Sequence, residues 1–186
     1  EGRQLLEKQQ AFNLPFDARE APTTTIADLD AGYVRDEYLP AAIAADVLAQ
    51  NQRPIEHQLR SIHFVGPNAR ATHVGLLVAG VDVMGPLPGA YIQFVRFDGI
   101  ELTHPVRDQK TISGRLADML RRVDEVLRAN IEIRVSFTAS PIEERIADYP
   151  LPALQQLVRN AVMHRNYDGT NAPVRIYWFN DRIEIH

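Results

Sequence analysis

The chain has 186 residues, 45% of them hydrophobic and 24% charged, with a formal net charge of −4. That length suits one domain or two small ones, and the composition excludes disordered, collagen-like and low-complexity chains. Without cysteine there is no disulfide framework, thiolate zinc site, iron–sulfur cluster or cysteine nucleophile, and a chain of this length needs no disulfide to hold a core.

The positive charge is nearly all arginine, with Lys8 and Lys110 the only lysines. A negative balance without a basic stripe is not the footprint of a nucleic-acid-binding domain. No apolar run is long enough to span a membrane, and no signal-like stretch opens the chain. The chain begins Glu1-Gly2 and ends within the strand-like pattern Arg182-Ile183-Glu184-Ile185-His186, so it reads as a piece of a longer protein.

In chain order, Leu5, Leu6 and Phe12 suggest a short helix ending before Pro15, followed by a loop over 13–25. Thr25 is placed to cap a helix from Ile26, with Asp28 in its first turn. A second helical stretch runs after Asp36 through Leu39, Ile43, Val47 and Leu48, with Pro40 in its first turn. Ile55, Leu59 and Ile62 mark another short helix, and Gly66-Pro67-Asn68 breaks it. Residues 72–80 are so evenly apolar that helix and strand remain open. Gly85-Pro86-Leu87-Pro88-Gly89 is a loop.

Residues 90–97 alternate as a strand, with Ile92, Phe94 and Arg96 on one face. Asp98-Gly99 signals a turn, with residues 100–104 as the returning hairpin partner. Ser113 is expected to cap a helix whose face is Leu116, Met119, Leu120, Val123 and Leu127. A strand follows over 131–138. A second strong helix, about 152–166, carries Leu154, Leu157, Val158, Ala161 and Val162 as its core stripe and stops near Asp168-Gly169. Strands over 174–179 and 182–185 flank an Asn180-Asp181 turn, with at least one of Tyr177 and Trp178 in the core. Helices followed by mixed strands and helices give an α+β class with a mainly antiparallel sheet. Residues 1–65 read as a helical connecting region and 66–186 as the α+β region.

Gln156, Asn160 and His164 are spaced by four, forming a polar stripe beside the apolar face. Such a stripe faces a cleft or, as on any half-exposed helix, solvent. His57, His63 and His73 lack metal-ligand spacing and read as structural or surface histidines. No phosphate-binding P-loop or serine elbow is present. Arg115, Arg121, Arg122 and Arg128 are interleaved with Asp118, Asp124 and Glu125, the pattern of a solvated mixed-charge face.

The run Tyr149-Pro150, Ala153-Leu154 and Asn160-Ala161-Val162-Met163-His164-Arg165-Asn166-Tyr167, followed by Val174-Arg175-Ile176 and Asn180-Asp181-Arg182-Ile183-Glu184-Ile185, resembles a bacterial family of transcriptional regulators and RecG-like helicase-related ATP-binding proteins. That family joins an N-terminal Schlafen/AlbA-like DNA-binding domain to a C-terminal GHKL-type ATPase-like domain. Phe16-Asp17, residues 71–80 and Ile112-Ser113-Gly114 resemble its connecting region. The resemblance implies that 148–186 begin an incomplete GHKL-like α/β sandwich. It implies a nucleotide site using Asn160, Gln156, His164 and Arg165, with Asn160 on magnesium, an ion suited to amide oxygen. The family's general-base glutamate is Gln156 here, and a neutral amide cannot accept the proton, so no catalytic residue is expected.

The function so implied is a cytoplasmic DNA-binding regulator, with DNA held through a domain outside this chain. ATP and magnesium would act in the intact protein, with none held tightly by this piece, and a homodimer is a possible assembly. An ATP-dependent helicase-related ATPase and a ligand-free dimerisation scaffold are the alternative functions.

Overall fold

The computed structural model describes residues 14–136, 144–167 and 170–186. The helix expected from Leu5, Leu6 and Phe12 and the Asp168-Gly169 stop lie outside them. The chain divides into two compact units. One comprises residues up to Ala90 with Gly114–Leu116 and Tyr167–Asn171; the other comprises Tyr91–Ser113, Ala117–Asn166 and Ala172–His186.

The first unit is built from short helices. A capping box between Thr25 and Asp28 opens the 3₁₀ turn Ile26–Asp28. Asp30 then caps α1, residues 31–42, its carboxylate accepting from the Tyr33 N–H at 2.9 Å. The middle of α1, Val34–Tyr38, is a π-turn, with the Leu39 N–H reaching back to the Val34 carbonyl. Pro40 supplies no N–H to the preceding turn and its ring crowds that turn's carbonyls, which accounts for the widening just upstream. The single stretch expected through Leu48 is instead divided. Ile43 turns extended and packs on the core, and α2 restarts at Ala45–Gln50.

After α3 (Ile55–Ser61), residues 72–80 resolve as a helix, α4 (His73–Ala79), with the Thr72 hydroxyl accepting from the Gly75 N–H. Gly75 lets α4 meet the chain at Phe64, since a Cβ there would lie 2.4 Å from the Phe64 carbonyl oxygen. Val34, Leu39, Leu59 and Leu76 form the centre of this unit's core. His73 is structural: its Nδ1 lies 2.8 Å from the Phe16 carbonyl oxygen and its ring stacks on Phe16. His57 and His63 are exposed.

The second unit is a four-stranded sheet ordered β2-β1-β5-β6, with helices and a separate two-stranded sheet. The strands are β1 (Tyr91–Phe97), β2 (Val106–Ser113), β5 (Val174–Trp178) and β6 (Ile183–Ile185). β1 runs parallel to β5 and the other pairings are antiparallel. The small sheet pairs β3 (Ile133–Ser136) with β4 (Glu144–Ala147), a strand not anticipated from the sequence. The helices are α5 (Leu116–Asn130) and α6 (Leu151–Met163). The fold class is thus α+β. No helix among the described residues is long and apolar enough to cross a membrane.

Three further sequence expectations need correction. The hairpin partner of β1 is Val106–Ser113 rather than 100–104. Within β2 only Ile112 is buried, so this edge strand shows no alternation to detect, and residues 99–105 form a loop closed by the Asp98 N–H on the Pro105 carbonyl. Ser113 ends β2 instead of capping α5; Gly114, at φ +119°, turns the chain first. On α6 the buried row is Leu154, Val158 and Val162, while Leu157 is 54% exposed.

One sheet face carries Ile92, Phe94, Val174, Ile176 and Trp178, all buried. Arg96 continues that face and is buried too. Its guanidinium donates to the Asn130 carbonyl and side-chain oxygens at 2.7 and 3.1 Å and to Glu132 at 2.6 Å, joining β1 to the end of α5. The opposite face holds Val95, Phe97 and Phe179, with Tyr177 partly buried against them.

Candidate functional site

The residues singled out in the sequence lie on α6. Pro150 precedes this helix and Pro152 sits in its first turn, where a missing N–H costs no internal bond. Leu154, Val158 and Val162 recur every four residues, so one row turns inward and the opposite row must turn outward. α6 lies against β6, and Arg159 donates to Asp124 of α5 at 2.8 Å.

The outward row brings Gln156, Asn160 and His164 together with Ala153, Leu157 and Met163, all exposed. At 100° per residue, Asn160 falls near the middle of this exposed arc. The arc itself carries no charged side chain, Arg159 flanks it beside Met163 and is held by Asp124, and two of its members are large and apolar, Leu157 and the 72% exposed Met163. Neither Gln156, Asn160 nor His164 makes a side-chain hydrogen bond within the described residues, so both amides are open to a ligand. Arg165 behaves differently: it is half-buried, and its Nε donates to the Ala172 carbonyl at 2.9 Å.

A magnesium nucleotide is the group implied by the family resemblance. Among the described residues no group of three histidine, aspartate or glutamate side chains gathers to cage a metal. Asn160 offers one unengaged amide oxygen on a face without like charge. That suits magnesium arriving with phosphate oxygens and water, which is how this ion is commonly held. The residues present therefore fit one wall of such a site.

Sequence reading missed the polar group formed by Arg96, Asn130 and Glu132. Its signal was present, because alternation in β1 places Arg96 on the same face as Ile92 and Phe94. What the sequence did not reveal was the partner at the end of α5. Trp178 is buried, with Tyr149 against it edge-on, and Tyr177 is half-exposed.

No family model and no curated protein matches the sequence. The fold is similar to the crystal structure of the DIP2311 protein from Corynebacterium diphtheriae, with a TM-score of 0.60 and 16% identity over 96% of this chain. The chain spans 34% of that protein's length, and the likeness is one of fold alone.

Proposed function

We propose that this chain is part of a cytoplasmic bacterial transcriptional regulator whose α6 region begins a degenerate GHKL-like domain that responds to ATP and magnesium without hydrolysing it. The observation that carries the reading is Asn160, unengaged and central on an exposed arc of α6 whose own members carry no charge. A solvated helix face is ordinarily charged, whereas a face that receives an anionic ligand with its cation has reason to be neutral and polar.

In this reading the Asn160 amide oxygen holds the magnesium, and Gln156 and His164 offer neutral hydrogen-bonding groups on either side. Arg165 steadies the segment that follows α6 through the Ala172 carbonyl. Magnesium, when bound, supplies the positive charge that the phosphates require. Gln156 accepts no proton from water, so nucleotide occupancy rather than turnover sets the state. DNA is contacted through a Schlafen/AlbA-like domain outside this chain, and the helicase-related reading has no motor motif to support it.

Binding of a fluorescent ATP analogue with magnesium tests the proposal. Saturable binding that Asn160→Ala weakens at least about tenfold, with the unfolding midpoint unchanged, supports it; such a loss is worth roughly 1.4 kcal/mol. Equal binding by the variant overturns it. A second reading, a dimerisation module, is favoured by the exposure of Leu157 and Met163. It requires a concentration-dependent dimer in sedimentation that Met163→Ser abolishes.

A further inference from the structure

The loop between β1 and β2 is unusual for a connection on a sheet edge. It presents Ile100 at 50%, Leu102 at 62% and, where β2 begins, Val106 at 52% exposure. It is nonetheless firmly held. The Asp98 N–H bonds the Pro105 carbonyl, and the His104 N–H bonds that of Glu101. The Glu101 N–H in turn donates to His104 Nδ1 at 3.0 Å. From the β5–β6 turn, the Asn180 N–H reaches the Gly99 carbonyl and Arg182 Nη1 reaches that of Ile100. At Gly99, φ +159°, a Cβ would lie 2.3 Å from the His104 ring, so the loop closes tightly on glycine. Side chains this exposed add little to folding, and three large apolar groups gathered on one short, ordered segment are a candidate contact site.

The base of the loop opens on a cavity of about 660 Å³, with Asp98, Asp148, Tyr149 and Asn180 in its lining. The surroundings are acidic. Glu101 lies within the loop, and Asp181 and Glu184 engage Arg182, which donates to the loop at Ile100, while Glu132 engages Arg96. Among the described residues, Arg107 is the remaining cation in the cavity lining, 3.7 Å from Glu132. The Tyr149 hydroxyl is pushed above its ordinary range by burial and then by the negative charges of Asp148 and Asp181. Its environment thus senses the same negative field.

We propose that this ordered loop and the acidic cavity at its base form a docking surface for a protein segment that pairs apolar side chains with arginine or lysine. The apolar side chains cover Ile100, Leu102 and Val106, and a basic side chain reaches the carboxylates below. Because the loop is already fixed, docking loses little loop entropy. The acidic border repels both nucleic acid and anionic lipid and steers a basic partner. This inference is independent of the nucleotide reading.

Fluorescence anisotropy with the whole chain tests it, using labelled peptides that alternate leucine with arginine, leucine with glutamate, or serine with arginine. The leucine–arginine peptide is expected to bind and the other two to fail. Leu102→Ser is expected to weaken binding at least about fivefold without moving the unfolding midpoint. Asp98→Asn is expected to weaken it less and to flatten its salt dependence. Val47→Ser, at a 54% exposed position in the other unit, is the control and should change nothing. Equal binding of any two peptides, indifference to Leu102→Ser, an equal loss from Val47→Ser, or capture of the loop by anionic vesicles overturns the proposal.

Discussion

The two long helices of the second unit are built alike on the inside and differently on the outside. α5 buries Met119, Val123 and Leu127, and α6 buries Leu154, Val158 and Val162, each a row spaced by four. Outward, α5 shows Arg121, Arg122, Glu125 and Arg128, with Arg121 pairing Asp118 at 2.6 Å. α6 shows Gln156, Leu157, Asn160, Met163 and His164. The inward rows explain why both helices stand where they do. Only the outward rows separate a face that water covers from one suited to a ligand or partner.

The largest effect that bears on this contrast comes from the inward row of α6. Leu154→Ala is expected to cost about 3 kcal/mol, as truncation of a buried leucine usually does. Leu157→Ala, three residues on, should cost less than about 0.5 kcal/mol. Chemical denaturation of both variants measures this directly. Equal losses would mean that α6 is rotated by most of a turn quadrant, and Asn160 would no longer lie at the centre of the exposed arc.

That rotation is where the sequence ran out. The apolar positions of α6 allow two readings, a wide stripe including Leu157 or a narrow row spaced by four, and the choice depends on the neighbours it meets. α5 offered no such choice, since charge fills its outward face, and it was legible from Met119 to Leu127. β1 and β5 were legible by alternation. β2 was not, because it lies at the sheet edge with one buried residue and its identity comes from pairing with β1. The spacing of Gln156, Asn160 and His164 makes the candidate face readable in the sequence. The absence of charge across the whole arc became visible only once Leu157 and Met163 were placed beside them.

A smaller effect separates the beginnings of two helices. α1 starts on Asp30, whereas α6 starts behind Pro150 with no side-chain cap. The Asp30 carboxyl is held below its ordinary value of 3.8, first by the Tyr33 N–H it accepts and then by Arg115, against the opposing effect of burial. A carboxylate whose value is lowered on folding adds stability that is present above its unfolded value. That contribution disappears as the pH falls through the folded value. The first unit is therefore expected to lose stability below a pH near 3.8, the unfolded value. Asp30→Asn, which keeps the capping oxygen, should flatten this acid limb while lowering stability at neutral pH. Unfolding followed against pH for both proteins checks it, and an unchanged acid limb in the variant would remove Asp30 from the account.

The smallest effect is expected on the outward face of α5. Its arginines could be mistaken for phosphate contacts, since Arg121 and Arg128, with Arg159 of α6, border an open groove of about 730 Å³. Asp124 and Glu125 border the same groove, Arg159 is paired with Asp124, and Arg121 with Asp118. Affinity for a nucleic-acid backbone comes largely from releasing counterions with concentrated positive charge, and paired arginines release few. With a net charge of −4, the chain should bind duplex DNA weakly even at low salt. Replacing Arg121 and Arg128 by glutamine should then change that weak binding by less than about twofold, since each is a surface charge in a mixed field. Fluorescence anisotropy over a salt series decides it. Tight binding that falls steeply with salt and disappears in the double variant would turn the α5 face into a phosphate-reading surface. The contrast would then reverse, with α5 the helix that meets a ligand and the neutral face of α6 left to a protein partner.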